Sequence, residues 1–152
     1  MRGPRVFPGY LDDPEANAEA FLPGGWFRTG DLGFLDDAGF LHLTGRLGEV
    51  INRGGEKIDP CEVDAALASH PAVADAAVFA VPDARLGQDV VAAIVLKPGM
   101  RATPRALRRW LFDHLAAYKV PRRIWFVGDL PRTATGKVRR GELARLWAEE
   151  RG

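Results

Sequence analysis

The sequence predicts an α+β fold in which a small sheet of about three strands is flanked by helices. Two runs dense in Val and Ala, residues 74–81 and 90–96, are bounded by proline-containing pairs and predict two central strands. A third apolar run, residues 124–127, has the length of a strand. Helical patterns separate these runs, so strands and helices alternate along residues 46–152 and favour one compact unit.

Helices are predicted around this sheet from their start signals and their apolar spacing. Residues 59–62 (Asp-Pro-Cys-Glu) supply a capping aspartate, a proline in the first turn and an acid three residues after the cap. A second helix begins at residues 103–104 (Thr-Pro) and is expected to end at Pro121, and a final helix covers residues 141–150. The apolar residues at helical spacing in the second helix are Leu107, Trp110, Leu111, Leu115 and Tyr118.

Two hairpins are predicted nearer the start of the chain. Short apolar pairs on either side of two glycines indicate a small hairpin at residues 50–58. Residues 32–35 and 40–43 predict another hairpin around an Asp-Asp-Ala-Gly turn, and a short helix is expected within residues 12–22. Because residues 1–45 contain little with which to close a core of their own, we expect this segment to be less stable than residues 50–150.

Composition indicates a globular chain in a reducing compartment. Of the 152 residues, 47% are hydrophobic and 27% are charged, and a single cysteine, Cys61, excludes an internal disulfide. No apolar run approaches the roughly 18 residues of a membrane-spanning helix, and no signal peptide opens the chain. We therefore expect a cytoplasmic protein without a membrane span. His42, His70 and His114 are not spaced as metal ligands, so no metal site is expected.

Charge is distributed unevenly, although the net charge is only +1. Residues 1–100 carry 8 Lys and Arg against 15 Asp and Glu, whereas residues 101–152 carry 13 against 5. A basic half favours a polyanionic partner or a phosphate-rich cofactor, but a solvated helix face has the same composition. Because this half lacks a recognition motif or interleaved aromatic residues, nucleic acid is not expected as a partner.

Residues 131–139 (Pro-Arg-Thr-Ala-Thr-Gly-Lys-Val-Arg) form the most informative motif in the chain. Gly136 can take backbone angles that are closed to other residues and lets a neighbouring group come close. Lys137 then lies at the tip of a turn as a compact cation with three donors, suited to phosphate or carboxylate oxygens. A lysine after a glycine is common, so the motif indicates a site only in combination with others.

Two other blocks lie upstream, residues 25–31 (Gly-Trp-Phe-Arg-Thr-Gly-Asp) and residues 45–51 (Gly-Arg-Leu-Gly-Glu-Val-Ile). In this order the three blocks resemble the C-terminal part of the adenylate-forming (AMP-binding) superfamily. That superfamily includes acyl-CoA synthetases, adenylation domains of peptide synthetases and firefly luciferase. Residues 52–58 (Asn-Arg-Gly-Gly-Glu-Lys-Ile) are most similar to the acyl-CoA synthetase branch, and the resemblance extends over essentially the whole chain.

The resemblance implies two pieces of different origin. Residues 1–45 correspond to the C-terminal end of the family's large ATP- and acyl-binding domain and are expected as a hairpin-containing remnant of it. Residues 46–152 correspond to the mobile C-terminal domain, with a β-hairpin at the hinge. The family's phosphate loop, adenine pocket and acyl pocket belong to the large domain, so the isolated chain is expected to be inactive or nearly so. The missing N-terminal domain would act in cis, or a partner would supply it in trans.

By resemblance, the complete enzyme is an ATP-dependent acid–thiol ligase, an acyl-CoA synthetase of the kind used in fatty acid metabolism. A carboxylic acid substrate attacks the α-phosphate of ATP, which is bound with Mg, and forms an acyl-adenylate and pyrophosphate. The thiol of CoA then attacks the activated carbonyl and releases AMP. Negative charge develops in both steps, so well-positioned cations and amide donors are expected to matter more than proton transfer.

Three charged residues carry the expected chemistry. The carboxylate of Asp31 can accept hydrogen bonds from two adjacent ribose hydroxyls, the role that the resemblance implies, although Gly-Asp is also ordinary turn chemistry. Arg46 would bind the same ATP or AMP through its forked guanidinium, unless it is a surface residue at a strand end. Lys137 is implied to be catalytic, bridging the substrate carboxylate and the α-phosphate during adenylation.

Three glycines complete the predicted site. Gly54 and Gly55 resemble the loop that lines the tunnel for the pantetheine arm of CoA, and a tight hairpin turn would need the same glycines. Gly48 stands where the family usually has a hinge Asp or Lys, so the hinge here has free rotation but no side chain to stabilise either orientation. The alternatives are an adenylation domain that serves a carrier protein, and a free-standing nucleotide- or CoA-binding module that complements another subunit.

Overall fold

The computed structural model describes residues 1–151. The chain divides into two compact units, Met1–Gly48 and Glu49–Gly152, which we call unit one and unit two. Both units contain helix and strand, and in unit two the helices pack on a sheet. The α+β fold class predicted from the sequence is therefore confirmed.

Unit one consists of a short helix and two small hairpins. Its elements are α1 (Pro14–Ala20), β1 (Phe21–Leu22), β2 (Trp26–Phe27), β3 (Asp31–Leu35) and β4 (Leu41–Arg46). α1 begins where the Asp13 carboxylate accepts a hydrogen bond from the N–H of Ala16 (2.9 Å), with a proline in the first turn. Between β3 and β4, the Asp36 carboxylate accepts the N–H of Phe40 (2.8 Å) and closes the predicted turn.

Unit one has little buried surface of its own. No residue of Met1–Gly48 whose burial is described is buried, and the rings of Phe7, Phe21 and Phe27 form a small cluster with centroids within 5.5 Å of one another. An isolated two-stranded hairpin is marginally stable in water, so unit one is weakly held by its own contacts. The hairpin of β3 and β4 exposes the apolar side chains of Phe34, Leu35, Phe40, Leu41 and Leu43.

Unit two is built on a five-stranded sheet. Its strands are β5 (Ile51–Arg53), β6 (Glu56–Ile58), β7 (Val73–Asp83), β8 (Gly87–Leu96) and β9 (Arg123–Phe126). β7 and β8 form a long antiparallel hairpin, and β9 pairs parallel to β8. The predicted hairpin of β5 and β6 joins the same sheet through one pairing, Arg53 with Gly87. Because this distant pairing has no local signal, the sequence indicates only about three strands in the sheet.

Helices cover both faces of this sheet. They are α2 (Pro60–Ala68), α3 (Pro104–Phe112) and α4 (Arg140–Glu149). Alternate residues of β8 point to opposite sides: Val90, Ala92 and Ile94 pack in a core with α2 and α3. Val91 and Ala93 pack in a second core with α4. Burial on both faces explains why Val and Ala run continuously along these strands instead of alternating with polar residues.

Besides the number of strands, which is five and not about three, the structure departs from the sequence expectations at two places. α3 ends at Phe112 and not near Pro121: the N–H of His114 donates to the carbonyl of Leu111 (3.1 Å) instead of that of Trp110, and the Trp110 carbonyl accepts the ring Nδ1 of His114 (2.7 Å). The chain then continues as one 3₁₀ turn, Ala117–Lys119. β7 lies at the end of the strand order and not in its centre, although helices cover both of its faces.

We expect hydrogen exchange to be much faster in β3 and β4 than in β7 and β8, because opening unit one exposes little buried apolar surface. Exchange of the intact chain, followed by mass spectrometry, reports the protection of each segment. The buried amides of β8 provide the internal reference in the same sample. Equal protection of the two hairpins would show that unit one is as stable as unit two and would contradict this expectation.

Candidate functional site

Lys137 lies in a tight loop between β9 and α4 that folds back on itself in an antiparallel bridge. The N–H of Thr133 donates to the carbonyl of Lys137 (2.8 Å), and the N–H of Lys137 donates to the hydroxyl of Thr133 (3.1 Å). Gly136 has a φ of +83°, a conformation that favours glycine. The backbone of Lys137 is therefore held through both of its polar groups, while its side chain is exposed.

α4 begins three residues after Lys137 and is tied to the rest of unit two by Arg140. The Nη2 of Arg140 is 2.5 Å from a carboxylate oxygen of Asp64 in α2, and its Nε donates to the carbonyl of Val78 in β7 (3.0 Å). The other carboxylate oxygen of Asp64 accepts the N–H of Val78 (2.6 Å). The two charged side chains are only 19% and 21% exposed. Sequence reasoning misses this pair, because its members lie 76 positions apart.

Burial raises the pKa of Asp64 from 3.8 to about 7. The Arg140 guanidinium and the N–H of Val78 lower this pKa, whereas the negative charges of Asp59 and Asp75 raise it further. The carboxyl group therefore titrates near neutral pH. Its ion pair with Arg140 is complete only above that range.

Asp31 and Arg46 lie together in unit one. They occupy paired positions at the ends of β3 and β4, and the Nε of Arg46 donates to Oδ1 of Asp31 (3.0 Å). The N–H of Asp31 donates to the hydroxyl of Thr29 (3.1 Å), and Gly30 between them has a φ of +73°. The structure thus brings the two predicted nucleotide-binding residues into contact, and Lys137 belongs to the other unit.

Gly54 and Gly55 form the turn between β5 and β6, with φ angles of +61° and +98°. The N–H of Gly54 donates to the carbonyl of Leu86 (2.9 Å), and the N–H of Gly55 donates to the side chain of Asn52 (3.0 Å). A Cβ on Gly54 would lie 2.9 Å from Leu86, whereas a Cβ on Gly55 would meet none of the described atoms within 4 Å. The turn requires both glycines, and the space beside the second is open.

Arg53 anchors this glycine hairpin to the segment that follows α3. Its Nη1 donates to the carbonyls of Tyr118 (2.9 Å) and Val120 (3.2 Å). Its Nε is 2.9 Å from Asp89, whose carboxylate is buried. An arginine that satisfies two carbonyls and a buried carboxylate fixes the hairpin relative to the sheet.

Gly48 is the last residue of unit one and lies in a single 3₁₀ turn, Leu47–Glu49. Its φ is outside the left-handed region, and a Cβ there would meet none of the described atoms within 4 Å. Neither crowding nor backbone angle requires glycine in this conformation. What glycine provides at this position is the freedom to take other backbone angles.

An open groove beside α3 and β9 concentrates positive charge. Every charged residue that lines it in the described part of the chain is an arginine. Lys119, which precedes Arg122 in the sequence, does not line the groove. Its ammonium group donates to Glu62 (2.6 Å), and this hydrogen bond raises the pKa of Lys119. The basic half of the chain therefore includes a concave cationic surface as well as solvated helix faces. Its arginines are Arg105, Arg108, Arg109, Arg122, Arg123 and Arg151.

Two kinds of feature are absent from residues 1–151, the part of the chain that the structure describes. Over that range, no group of three or more His, Cys, Asp or Glu side chains is arranged to hold a metal ion. Among the described helices, none is long and apolar enough to cross a membrane.

A small sheet with a glycine hairpin at one end and a glycine–lysine loop before the last helix defines a C-terminal domain of adenylate-forming enzymes. The structure of ATP-bound MatB from Rhodopseudomonas palustris superposes with a TM-score of 0.91 and 34% identity, over 99% of this chain and 30% of that one. The family model described as the AMP-binding enzyme C-terminal domain matches residues 62–137, half of the chain. The chain belongs to this family.

The curated relatives are CoA ligases. The chain is 45% identical to the oxalate–CoA ligase of Arabidopsis thaliana over 99% of its own length. It is 49% identical to the oxalate–CoA ligase of Saccharomyces cerevisiae over 98% of its length. It spans 29% and 28% of these two proteins, so less than a third of each relative is matched.

Proposed function

We propose that this chain forms part of an ATP-dependent carboxylate–CoA ligase in which Lys137 acts during acyl-adenylate formation. The observation that carries this proposal is the Lys137 loop, in which Thr133 holds the backbone while the ammonium group is exposed. A fixed backbone with an exposed cation is suited to meet an anionic reaction centre. That the relatives are CoA ligases supports the same reaction.

Lys137 is proposed to neutralise negative charge and not to transfer a proton. In the first half-reaction, a carboxylate oxygen forms a bond to the α-phosphorus of ATP while the bond to pyrophosphate breaks. Negative charge then lies between the attacking oxygen and the phosphoryl oxygens, where a lysine side chain can neutralise it. In the second half-reaction, the thiol of CoA loses its proton and attacks the carbonyl carbon, and AMP leaves. Lys137 has no proposed part in this second step.

Asp31 and Arg46 are proposed to bind the nucleotide. Their ion pair uses Oδ1 of Asp31 and Nε of Arg46. Oδ2 of the carboxylate and both terminal nitrogens of the guanidinium could therefore contact ribose hydroxyls and phosphate oxygens without breaking the pair. The pair would orient both side chains before ATP binds, which lowers the entropic cost of binding.

The proposed domain organisation assigns residues 1–45 to the end of a large ATP- and acyl-binding domain and residues 46–152 to a mobile C-terminal domain. The exposed apolar side chains of β3 and β4 support this assignment, because such a surface is typical of a segment that packs on a larger body. Gly48 is proposed as the hinge. Its backbone can take the angles of two domain orientations, because no Cβ restricts it.

CoA is the proposed acceptor, and the glycine hairpin supports this choice. The open space beside Gly55 would let the narrow pantetheine arm pass close to the backbone, while Gly54 keeps the turn against Leu86. The arginine groove beside α3 supplies cations suited to the phosphates of CoA. Mg is proposed to enter with ATP, bound through the phosphate oxygens of the nucleotide. Such a ligase would work in the cytoplasm, where ATP and CoA are found.

The proposal is tested by a fusion protein in which this chain replaces the matching segment of the Arabidopsis oxalate–CoA ligase. We expect the fusion to release pyrophosphate from ATP in the presence of oxalate and then to form oxalyl-CoA. The isolated chain is expected to do neither, because a lysine and an aspartate without an acyl pocket cannot bring the reactants together. A phosphate-release assay coupled to pyrophosphatase measures the first step, and chromatography of the CoA thioester measures the second.

Each alternative gives a different outcome in this system. A folded fusion that makes no adenylate would contradict the proposed function, and pyrophosphate release by the isolated chain would contradict its dependence on a large domain. Rescue of the truncated relative by the chain added in trans would identify a free-standing module. Transfer of the acyl group to a carrier protein in preference to CoA would identify the carrier-protein alternative.

A further inference from the structure

Arg132 connects the Lys137 loop to the sheet of unit two. Its Nη1 donates to the carbonyl of Gly136 (2.6 Å), the residue immediately before Lys137. Its Nη2 donates to the carboxylate of Asp75 in β7, 57 positions away in sequence. One guanidinium therefore joins the turn that carries Lys137 to a strand of the sheet.

Asp75 is oriented by an irregularity in β7. The register between β7 and β8 shifts between Val73 and Asp75, so one extra residue, Ala74, lies in β7. A bulge of this kind bends the strand and redirects its side chains. Oδ1 of Asp75 also accepts the N–H of Ala76 (2.9 Å), so the backbone orients the carboxylate that holds Arg132.

The contact between Arg132 and Gly136 acts on one peptide plane. The carbonyl of Gly136 and the N–H of Lys137 belong to the same planar peptide group. Arg132 holds the carbonyl edge of this plane, and the hydroxyl of Thr133 holds its N–H edge (3.1 Å). With both edges held, rotation of the plane is restrained. The bond from the N–H of Thr133 to the carbonyl of Lys137 (2.8 Å) also restrains rotation about the N–Cα bond of Lys137, and together these contacts set the direction of its Cα–Cβ bond.

We propose that Arg132, held by Asp75, is a positioning residue that fixes the direction in which the side chain of Lys137 projects from its loop. This inference rests on the proposed role of Lys137 in adenylation. The side chains of Arg132 and Asp75 are 40% and 36% exposed, and ion pairs this exposed contribute little to folding stability. Loss of Arg132 therefore affects the placement of Lys137 far more than the stability of unit two.

The chain itself provides the first test. We expect Arg132→Gln to raise the hydrogen-exchange rates of the Gly136 and Lys137 amides about tenfold, because their turn loosens. The thermal midpoint should stay within about 2 °C of the parent. Arg145→Gln is the matched control, because Arg145 forms an exposed pair with Glu149 (2.5 Å) within α4. Unchanged exchange of both loop amides, measured by NMR, would overturn the proposal.

The oxalate–CoA ligase fusion provides the second test. Arg132→Gln is expected to lower the kcat of adenylation about 10- to 100-fold, as for a misplaced catalytic group, while the KM for ATP stays within about twofold. Thioester formation from supplied oxalyl-adenylate should not change. Arg132→Lys should restore only part of the rate, because an ammonium group on a flexible stem cannot hold both partners in the same geometry. Asp75→Asn should lower the rate in the same way and add little to Arg132→Gln, because both changes break one connection.

The outcomes separate this inference from the proposed function. A raised KM for ATP with an unchanged kcat would assign Arg132 to substrate binding and overturn its positioning role. If Lys137→Ala abolishes adenylation and Arg132→Gln leaves it intact, only the positioning role fails. If Lys137→Ala itself leaves adenylation intact, the proposed function fails.

Discussion

Adenylate formation by the fusion protein is expected to fall about 10²- to 10³-fold when Lys137 is replaced by alanine. This is the loss typical of removing one preorganised group that stabilises charge in a transition state. Thioester formation from supplied oxalyl-adenylate should change by less than about threefold, because the phosphoryl transfer is already complete in that substrate. Pyrophosphate release measures the first half-reaction, and consumption of CoA measures the second.

Two further variants test whether the effect of Lys137→Ala on adenylation is specific to this lysine. Lys97→Ala removes an exposed lysine that comes directly after β8 and should leave both half-reactions at the parental rate. Lys137→Arg keeps the positive charge but replaces a compact ammonium with a planar fork, so we expect it to recover only part of the adenylation rate. Equal losses in both half-reactions for Lys137→Ala would show that the residue supports the fold or binding in general and would contradict its assignment.

The features of the fold that could be predicted from the sequence are those with local causes. Asp59 does cap α2, since its carboxylate accepts the N–H of Cys61 (2.9 Å), and Thr103 caps α3 through the N–H of Ala106 (3.2 Å). The glycine turn between β5 and β6 depends on positive φ angles that are favourable only for glycine. In each case the residue that gives the signal is within a few positions of the structure that it specifies.

The features that sequence reasoning missed depend on which distant segments meet. The early end of α3 is a local exception, since the ring of His114 donates to the carbonyl of Trp110 just beyond the helix and apolar spacing does not reveal this contact. The partners of Arg132 and Arg140 lie in β7 and α2, and only the folded sheet brings them together. The Lys137 motif could be recognised from sequence, but the contacts that orient it could not, because they join segments dozens of residues apart.

Replacing Arg140 with methionine is expected to destabilise the isolated chain by about 3 kcal/mol at pH 8. Methionine retains apolar volume, but the four-fifths buried carboxyl group of Asp64 loses the guanidinium that was 2.5 Å away. Loss of this cation raises the pKa of Asp64 further, so at pH 8 the folded chain must either hold an unpaired charge or take up a proton, and both destabilise it. The carbonyl of Val78 also loses a donor. Urea unfolding of the variant and the parent measures the difference in the free energy of unfolding, provided that the m-values agree. Arg145→Met, at an exposed position of α4, should change stability by less than about 0.5 kcal/mol.

The decrease in the free energy of unfolding caused by Arg140→Met should be much smaller at pH 5 than at pH 8. Because burial raises the pKa of Asp64 from 3.8 to about 7, the folded chain binds a proton between these values that the unfolded chain does not. Unfolding in this window releases that proton, so the contribution of Asp64 to stability falls as pH rises from about 4 to about 7. At pH 5 the carboxyl group is neutral, and removing Arg140 then breaks hydrogen bonds without leaving a buried charge.

Asp64→Asn separates the charge of Asp64 from its hydrogen bonds. Asparagine keeps an acceptor for the N–H of Val78 but does not titrate, so this variant should lose the part of the pH dependence of stability that belongs to Asp64. In the Asp64→Asn background, Arg140→Met should cost less at pH 8 than in the parent, since no carboxylate is left unpaired. An equal cost of Arg140→Met at pH 5 and pH 8 in the parent would mean that Asp64 keeps its charge throughout this range. Asp64 and Arg140 would then form an ion pair at both pH values, and burial would not raise the pKa of Asp64 into this range.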